Sequence, residues 1–157
     1  MIEFRLNDRA AHVDAAPMTS LASVLREQLT LTGTKVACGE GFCGSCTILL
    51  DEQPVAACLL PVVHVAGRAV RTVEGLAAND QLSPLQQALA DVDAVQCGMC
   101  FPGMVMSLTA LLERTPRPTR PQVHAALVGN ICRCTGYERV VSAVLQLADG
   151  GRRETRE

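Results

Sequence analysis

Aromatic residues are scarce in this chain: three Phe, one Tyr and no Trp, 3% of the residues. That leaves too few rings to build a stacking platform for nucleic-acid bases. An excess of charge is missing too. The 14 basic and 16 acidic residues give a formal net charge of −2, so no field draws in nucleic acid or an anionic membrane. No apolar run is long enough to span a bilayer. The opening stretch, Met1-Ile2-Glu3-Phe4-Arg5-Leu6-Asn7, has no basic region followed by an apolar one, and no twin arginine. The expectation is a cytoplasmic chain, not membrane-bound, whose thiols stay reduced. Neither G-x-G-x-x-G nor G-x-x-x-x-G-K-[ST] occurs. No acid, base or nucleophile constellation stands out beyond the cysteines, so the chain shows no substrate chemistry of its own.

Cysteine is what the chain does have: 8 in 157 residues. That length fits one domain or two small ones, and small cores usually need a metal or disulfide staple. In a reducing compartment the leading reason for eight thiols is metal or metal-cluster ligation. Cys38, Cys43, Cys46 and Cys58 follow C-x4-C-x2-C-x11-C, whose first part is the plant-type [2Fe–2S] spacing. The geometry explains the pattern. Three thiolates converge from one loop onto two irons, and a fourth arrives from the far strand of a hairpin. Gly39, Gly41 and Gly44 let the backbone close around the sulfurs with φ > 0. Cys97, Cys100, Cys132 and Cys134 follow C-x2-C-x31-C-x-C. Pro102-Gly103 and Thr135-Gly136 stand near helix starts, whose free N–H groups suit an anionic cluster.

Other readings of these residues are weaker. Zinc is the main alternative for four cysteines, but C-x4-C-x2-C-x11-C is not a zinc-ribbon spacing. A disulfide framework suits a secreted chain, and a thioredoxin-like Cys97/Cys100 pair needs a βαβ context that is missing. His12, His64 and His124 have no Rieske-like spacing to a cysteine and read as surface or structural. Met104 and Met106 read as packing residues rather than a soft-metal pair.

The first half reads as α+β with a small mixed sheet. Strands are predicted at Ile2–Leu6, Ala11–Ala15, Thr47–Leu50, Val55–Cys58 and Ala69–Val73. Thr19 or Ser20 caps a helix carrying Leu21, Val24, Leu25 and Leu29, closed by Gly33. The texture turns helical around Glu74 to Asn79. Ser83-Pro84 and Pro102-Gly103 open two helices. Thr119 opens a third over Val123, Leu127 and Val128, and Glu138–Leu147 forms the last. The end, from Gly150, is a polar tail.

Three segments together carry a resemblance: Cys38-Gly-Glu-Gly-Phe-Cys43-Gly-Ser-Cys46-Thr47, Gln96-Cys-Gly-Met-Cys100-Phe-Pro-Gly103 and Gly129-Asn-Ile-Cys132-Arg-Cys134-Thr-Gly-Tyr137. From about residue 2 to 148 the chain resembles the [2Fe–2S] small subunit of the molybdenum hydroxylases, the xanthine dehydrogenase and aldehyde oxidoreductase family. The resemblance implies a plant-ferredoxin-like β-grasp domain at residues 1–76. An all-α four-helix-bundle [2Fe–2S] domain with pseudo-two-fold symmetry would follow at 77–149, and a polar tail at 150–157. It implies two [2Fe–2S] clusters, a large partner subunit holding molybdopterin and a medium one holding FAD, as a dimer of heterotrimers. Electrons would leave molybdenum through the cluster of Cys97, Cys100, Cys132 and Cys134, then through that of Cys38, Cys43, Cys46 and Cys58, to FAD. Gln96 and Cys134 would contact the pterin. Ser45 departs from the usual Ala, and a hydrogen bond from its hydroxyl to a sulfur would raise that cluster's potential. Met99 and Phe101 replace an aromatic and a Thr. A free-standing two-cluster carrier is the alternative assignment.

Overall fold

The computed structural model of the chain describes residues 1–77, 79 and 81–150. The polar tail expected beyond Gly150 lies outside them. The first half is built on a five-stranded mixed sheet in the order β2-β1-β5-β3-β4. The strands are β1 (Ile2–Leu6), β2 (Arg9–Val13), β3 (Thr47–Leu50), β4 (Gln53–Ala56) and β5 (Ala69–Arg71). β1 runs parallel to β5, and the other neighbours are antiparallel.

Two tight turns fix the hairpin registers. Asn7 and Asp8 (φ 48° and 64°) join β1 to β2, and Asp51 and Glu52 (φ 46° and 64°) join β3 to β4. Both central residues of a type I′ hairpin turn take positive φ, which Asn and Asp tolerate better than other side chains; Glu52 adopts it as well. The turns correct two expectations. The second strand starts at Arg9 opposite Leu6, not at Ala11. The fourth strand ends at Ala56, so Cys58 stands just beyond the hairpin instead of on it. β5 stops at Arg71, and a 3₁₀ turn (Val73–Gly75) takes over.

Ser20 caps the predicted helix, accepting the Ser23 N–H at 3.2 Å. The helix is one short α-turn, α1 (Leu21–Ser23), running on into a π-helical segment, Val24–Gln28. It ends before Gly33. Thr30 takes the left-handed conformation at φ 57° instead. Leu21 and Leu25 are fully buried against Phe4, Ile48, Leu50, Val62 and Val65.

Four helices make the second half: α2 (Pro84–Asp91), α3 (Phe101–Arg114), α4 (Arg120–Leu127) and α5 (Glu138–Ala148). Ser83 and Gln86 close a reciprocal capping box on α2. Gln122 reaches back to the Thr119 N–H at 2.7 Å to start α4. That helix ends at Leu127. Val128, which the sequence puts on this helix, lies past its end and is 82% exposed. α2 packs on α3 and α5, and α4 on α3 and α5. The core between them holds Leu89, Met104, Leu108, Val123, Val140 and Val144.

β3 is buried along its whole length because both faces are covered. Ile48 and Leu50 point into the sheet's own core. Leu49 points the other way, onto Met106 and Ala110 of α3. Burying side chains of this size stabilises by roughly 1.5–3 kcal/mol each, so this seam joins the halves. Arg71 adds a polar clasp, donating to Glu113 of α3 at 2.6 Å and to Glu52 of the β3–β4 turn. The chain is mixed α+β, with a small sheet unit and a helical unit.

Candidate metal centres

The loop between the π-helical segment and β3 carries Cys38, Cys43 and Cys46. Gly39, Gly41 and Gly44 in it have φ of +72°, +72° and +70°, a region open to glycine at little cost. The Cys38 sulfur accepts the N–H groups of Glu40 and Cys43, each at 3.4 Å. Those bonds favour the thiolate, the Glu40 N–H most, and draw Cys38 down to about 6. Cys46 is 2% exposed. Burial pushes its thiol up to about 11, and it shares a thiol hydrogen bond with Cys58. The Cys43 thiol donates to the Ser45 hydroxyl oxygen at 3.5 Å, the reverse of the hydroxyl-to-sulfur bond expected from the sequence.

Cys97 and Cys100 lie between α2 and α3, and Cys132 and Cys134 between α4 and α5. The Cys97 and Cys134 sulfurs stand 3.6 Å apart at the surface. Cys100 is buried, bonds Cys132, and is pushed up to about 12 by its burial. Burial also pushes Cys132 up, but bonds from the Thr135 hydroxyl and N–H outweigh it, so this thiol sits below its ordinary range. Cys134 is raised by the hydrogen bond with Cys97. All four thiols line one small pocket, with Gln96, Met104 and Thr135 among its other walls.

Spacing alone gives no role to three residues that shape this second site. The single Tyr hydroxyl, on Tyr137, accepts the Cys132 N–H at 2.7 Å and donates to the Asn130 carbonyl at 3.0 Å. Tyr137 itself sits in the left-handed region at φ 66°. Thr135 donates its hydroxyl to the Cys132 sulfur at 3.1 Å. Asn130 is 2% exposed and reaches back to the first loop, donating to the Gly44 carbonyl at 3.0 Å. The available signal is contiguity: all three lie inside the Gly129–Tyr137 segment, but their partners are not predictable from it.

The two cysteine loops touch. Ile131 N–H donates to the Cys43 carbonyl at 2.9 Å. A Cβ on Gly44 would overlap the Gly129 carbonyl, and one on Gly103 would overlap the Gly44 carbonyl. Gly44 and Gly103 are therefore required by close approach of backbone to backbone. Gln96 donates its amide to the Cys134 carbonyl at 3.0 Å, both residues being exposed. His12, His64 and His124 are all exposed, and Met104 and Met106 are buried in packing positions.

Among the described residues, no three His, Cys, Asp or Glu side chains form a group placed to hold a single metal ion. The thiols meet in twos instead: Cys38 with Cys43, Cys46 with Cys58, Cys97 with Cys134, Cys100 with Cys132. A two-iron cluster takes thiolates two by two, one couple on each iron. The all-thiol donor set and its pairing fit that group. Burial disfavours the thiolate form of Cys46 and Cys100, and the charge of a bound cation would offset that cost.

The fold and these cysteines define a protein with two [2Fe–2S]-type binding units. Comparison with known proteins agrees. Residues 4–67 match the 2Fe-2S iron-sulfur cluster binding domain, and residues 72–145 match the [2Fe-2S] binding domain. The small subunit of nicotine 6-hydroxylase from Paenarthrobacter nicotinovorans is 46% identical over 144 residues, covering 92% of this chain and 87% of that one. A nicotinate dehydrogenase subunit from Pseudomonas putida is 39% identical over 152 residues, covering 97% of each chain. A chain of the crystal structure of quinoline 2-oxidoreductase from Pseudomonas putida 86 superposes with a TM-score of 0.91 at 39% identity, covering 98% of this chain and 96% of that one. The chain belongs to the [2Fe–2S] small-subunit family of the molybdenum hydroxylases, the xanthine dehydrogenase and aldehyde oxidoreductase family.

Proposed function

We propose that this chain is the non-catalytic electron-transfer subunit of a molybdenum-dependent hydroxylase or dehydrogenase. One observation carries the reading: all eight cysteines gather into two sets of four, one in each half, with the two loops in contact. Cys38, Cys43, Cys46 and Cys58 would hold the distal cluster, and Cys97, Cys100, Cys132 and Cys134 the molybdenum-proximal one. When bound, the clusters supply one-electron exchange between a molybdopterin site in a large partner subunit and FAD in a medium one.

The chain's own residues do the rest. The Glu40 and Cys43 N–H groups favour the thiolate form of Cys38. Cys46 and Cys100 keep one side of each cluster site dry. Gln96 and Cys134, tied together at the exposed end of the second site, are the residues we assign to the molybdopterin contact. The sheet, with a parallel β1/β5 pair and a short helix packed on one face, supports a plant-ferredoxin-like β-grasp unit over residues 1–76. Helices α2 to α5 support a four-helix bundle over 77–149. No described helix is long and apolar enough to cross a membrane, and eight free thiols suit the cytoplasm. A dimer of heterotrimers is the assembly we expect.

The test is native purification through a tag on this chain, followed by iron, molybdenum and zinc analysis. About four irons per molybdenum is the expected result. Four irons with no molybdopterin chain, after cofactor loss is excluded, would point to a free-standing carrier instead. Zinc in place of iron would overturn both.

A further inference from the structure

The hydrogen bonds around Cys132 form a directed chain. The Tyr137 N–H donates to the Thr135 hydroxyl oxygen at 3.2 Å. The Thr135 hydroxyl in turn donates to the Cys132 sulfur at 3.1 Å. A hydroxyl has one proton to give, and an iron-bound thiolate has none, so the sulfur can only accept. The Tyr137 N–H already occupies one acceptor site on the Thr135 oxygen. The hydroxyl proton is thus aimed at the sulfur. Tyr137 is fixed by its own hydroxyl, which bridges the Cys132 N–H and the Asn130 carbonyl. Its left-handed backbone, at φ 66°, turns its N–H back toward Thr135. The Asn130–Tyr137 loop thereby positions one side-chain hydroxyl on one sulfur of the second site.

At the first site the contact is longer and runs the other way, the Cys43 thiol donating to the Ser45 hydroxyl oxygen. The Ser45 hydroxyl lies 3.5 Å from the Cys43 sulfur, against 3.1 Å for Thr135 and Cys132.

Resting on the two-cluster reading above, we propose that Thr135 is a positioning residue that sets the reduction potential of the helical-domain cluster through its hydroxyl bond to Cys132. The physical reason is charge. Gaining one electron makes an already anionic cluster more negative, and a hydrogen bond to a ligand sulfur stabilises the reduced form more than the oxidised one. The bond therefore holds electrons on the helical side and adjusts how they divide between the two clusters.

The experiment uses the natively purified holoenzyme and its Thr135→Val and Thr135→Ser variants, poised with dithionite and followed by EPR. Thr135→Val keeps the side chain's shape and removes the hydroxyl. It is expected to shift electron sharing between the clusters about tenfold toward the ferredoxin-like one, which for a one-electron couple is about 59 mV. Only the helical-domain signal moves, to lower potential. Thr135→Ser restores the wild-type value. An unchanged potential in Thr135→Val, with both clusters present, overturns the proposal and leaves the two-cluster reading standing. Two [2Fe–2S] signals missing from the wild-type enzyme would overturn the reading itself.

If Thr135→Val loses its cluster, a second measurement decides. Wild-type holoenzyme is exposed briefly to D2O and examined by pulsed EPR. A hydroxyl proton exchanges long before a hydrogen-bonded amide does. Rapid loss of one strongly coupled proton from the helical-domain signal supports the bond, and no rapid loss overturns it.

Discussion

The two cysteine sites are built in opposite ways. The first is a loop site, with three of its four thiols inside residues 38–46, shaped by glycines and by the loop's own N–H groups. The second is an assembled site. Its two cysteine pairs lie on either side of α3 and α4 and meet only because those helices pack. Side chains hold it in place: Tyr137 and Thr135 bond Cys132 within its second cysteine loop, and Gln96 reaches across from its first to the Cys134 carbonyl. A site of the first kind depends on local backbone conformation. One of the second kind depends on tertiary packing and on a few polar contacts. The difference makes the two sites separable by mutation.

The largest expected effect comes from removing a ligand. Cys58→Ser and Cys134→Ser should each cut iron from about four to about two per chain, and each should erase a different EPR signal. Cys134→Ser should also stop substrate from reducing flavin, whereas Cys58→Ser should leave molybdenum reducible. Loss of both signals from either variant would show that the sites are not independent.

Next comes the joint where the loops touch. Gly103→Ala forces a methyl group into the Gly44 carbonyl and should destabilise the chain by about 1–3 kcal/mol, as overpacking does. Gly44→Ala adds a positive-φ penalty at φ +70° and should cost more. Denaturant titration of the holoenzyme, followed by cluster colour, ranks the two.

Tyr137→Phe sharpens the comparison further. It deletes a hydroxyl that serves two backbone partners and should cost about 1–2 kcal/mol, expressed at the second site alone. Chelator challenge should strip the helical-domain cluster faster in this variant while the first cluster bleaches at the wild-type rate.

The smallest effect is electrostatic. Asp51, in the sheet half, is held below the usual carboxylate range by the Ala69 N–H and then by Arg68. Glu138, in the helical half, is held down by Arg120. A carboxylate with a depressed folded-state pKa adds stability above its unfolded pKa, and that stability is lost as pH falls through the folded value. Both groups are exposed, so the effect is small. Asp51→Asn and Glu138→Gln should each flatten part of the acid limb of a stability profile. A wild-type slope in both variants would contradict the assignment.

This contrast also explains what was legible in the sequence. Thr47–Leu50 reads as a strand without alternation, and burial of both its faces is the cause. The Ser83 and Thr119 helix starts were legible because capping is local. The end of the first helix was not: Thr30 accepts a left-handed backbone where the sequence offers Gly33. Val128 continues the apolar pattern of α4 yet lies outside the helix. All eight cysteines could be sorted into fours from spacing and resemblance. The contact between the two loops could not, because the Asn130 amide meets the Gly44 carbonyl across 86 residues and no local pattern encodes that pairing.

The central claim is that this one chain holds two distinct two-iron sites. Its most direct test is an EPR-monitored redox titration of the natively purified assembly, with spins counted against protein. Two different [2Fe–2S] signals, each integrating to about one spin per chain on full reduction, are the predicted result. One signal, or a colourless zinc protein, would contradict it.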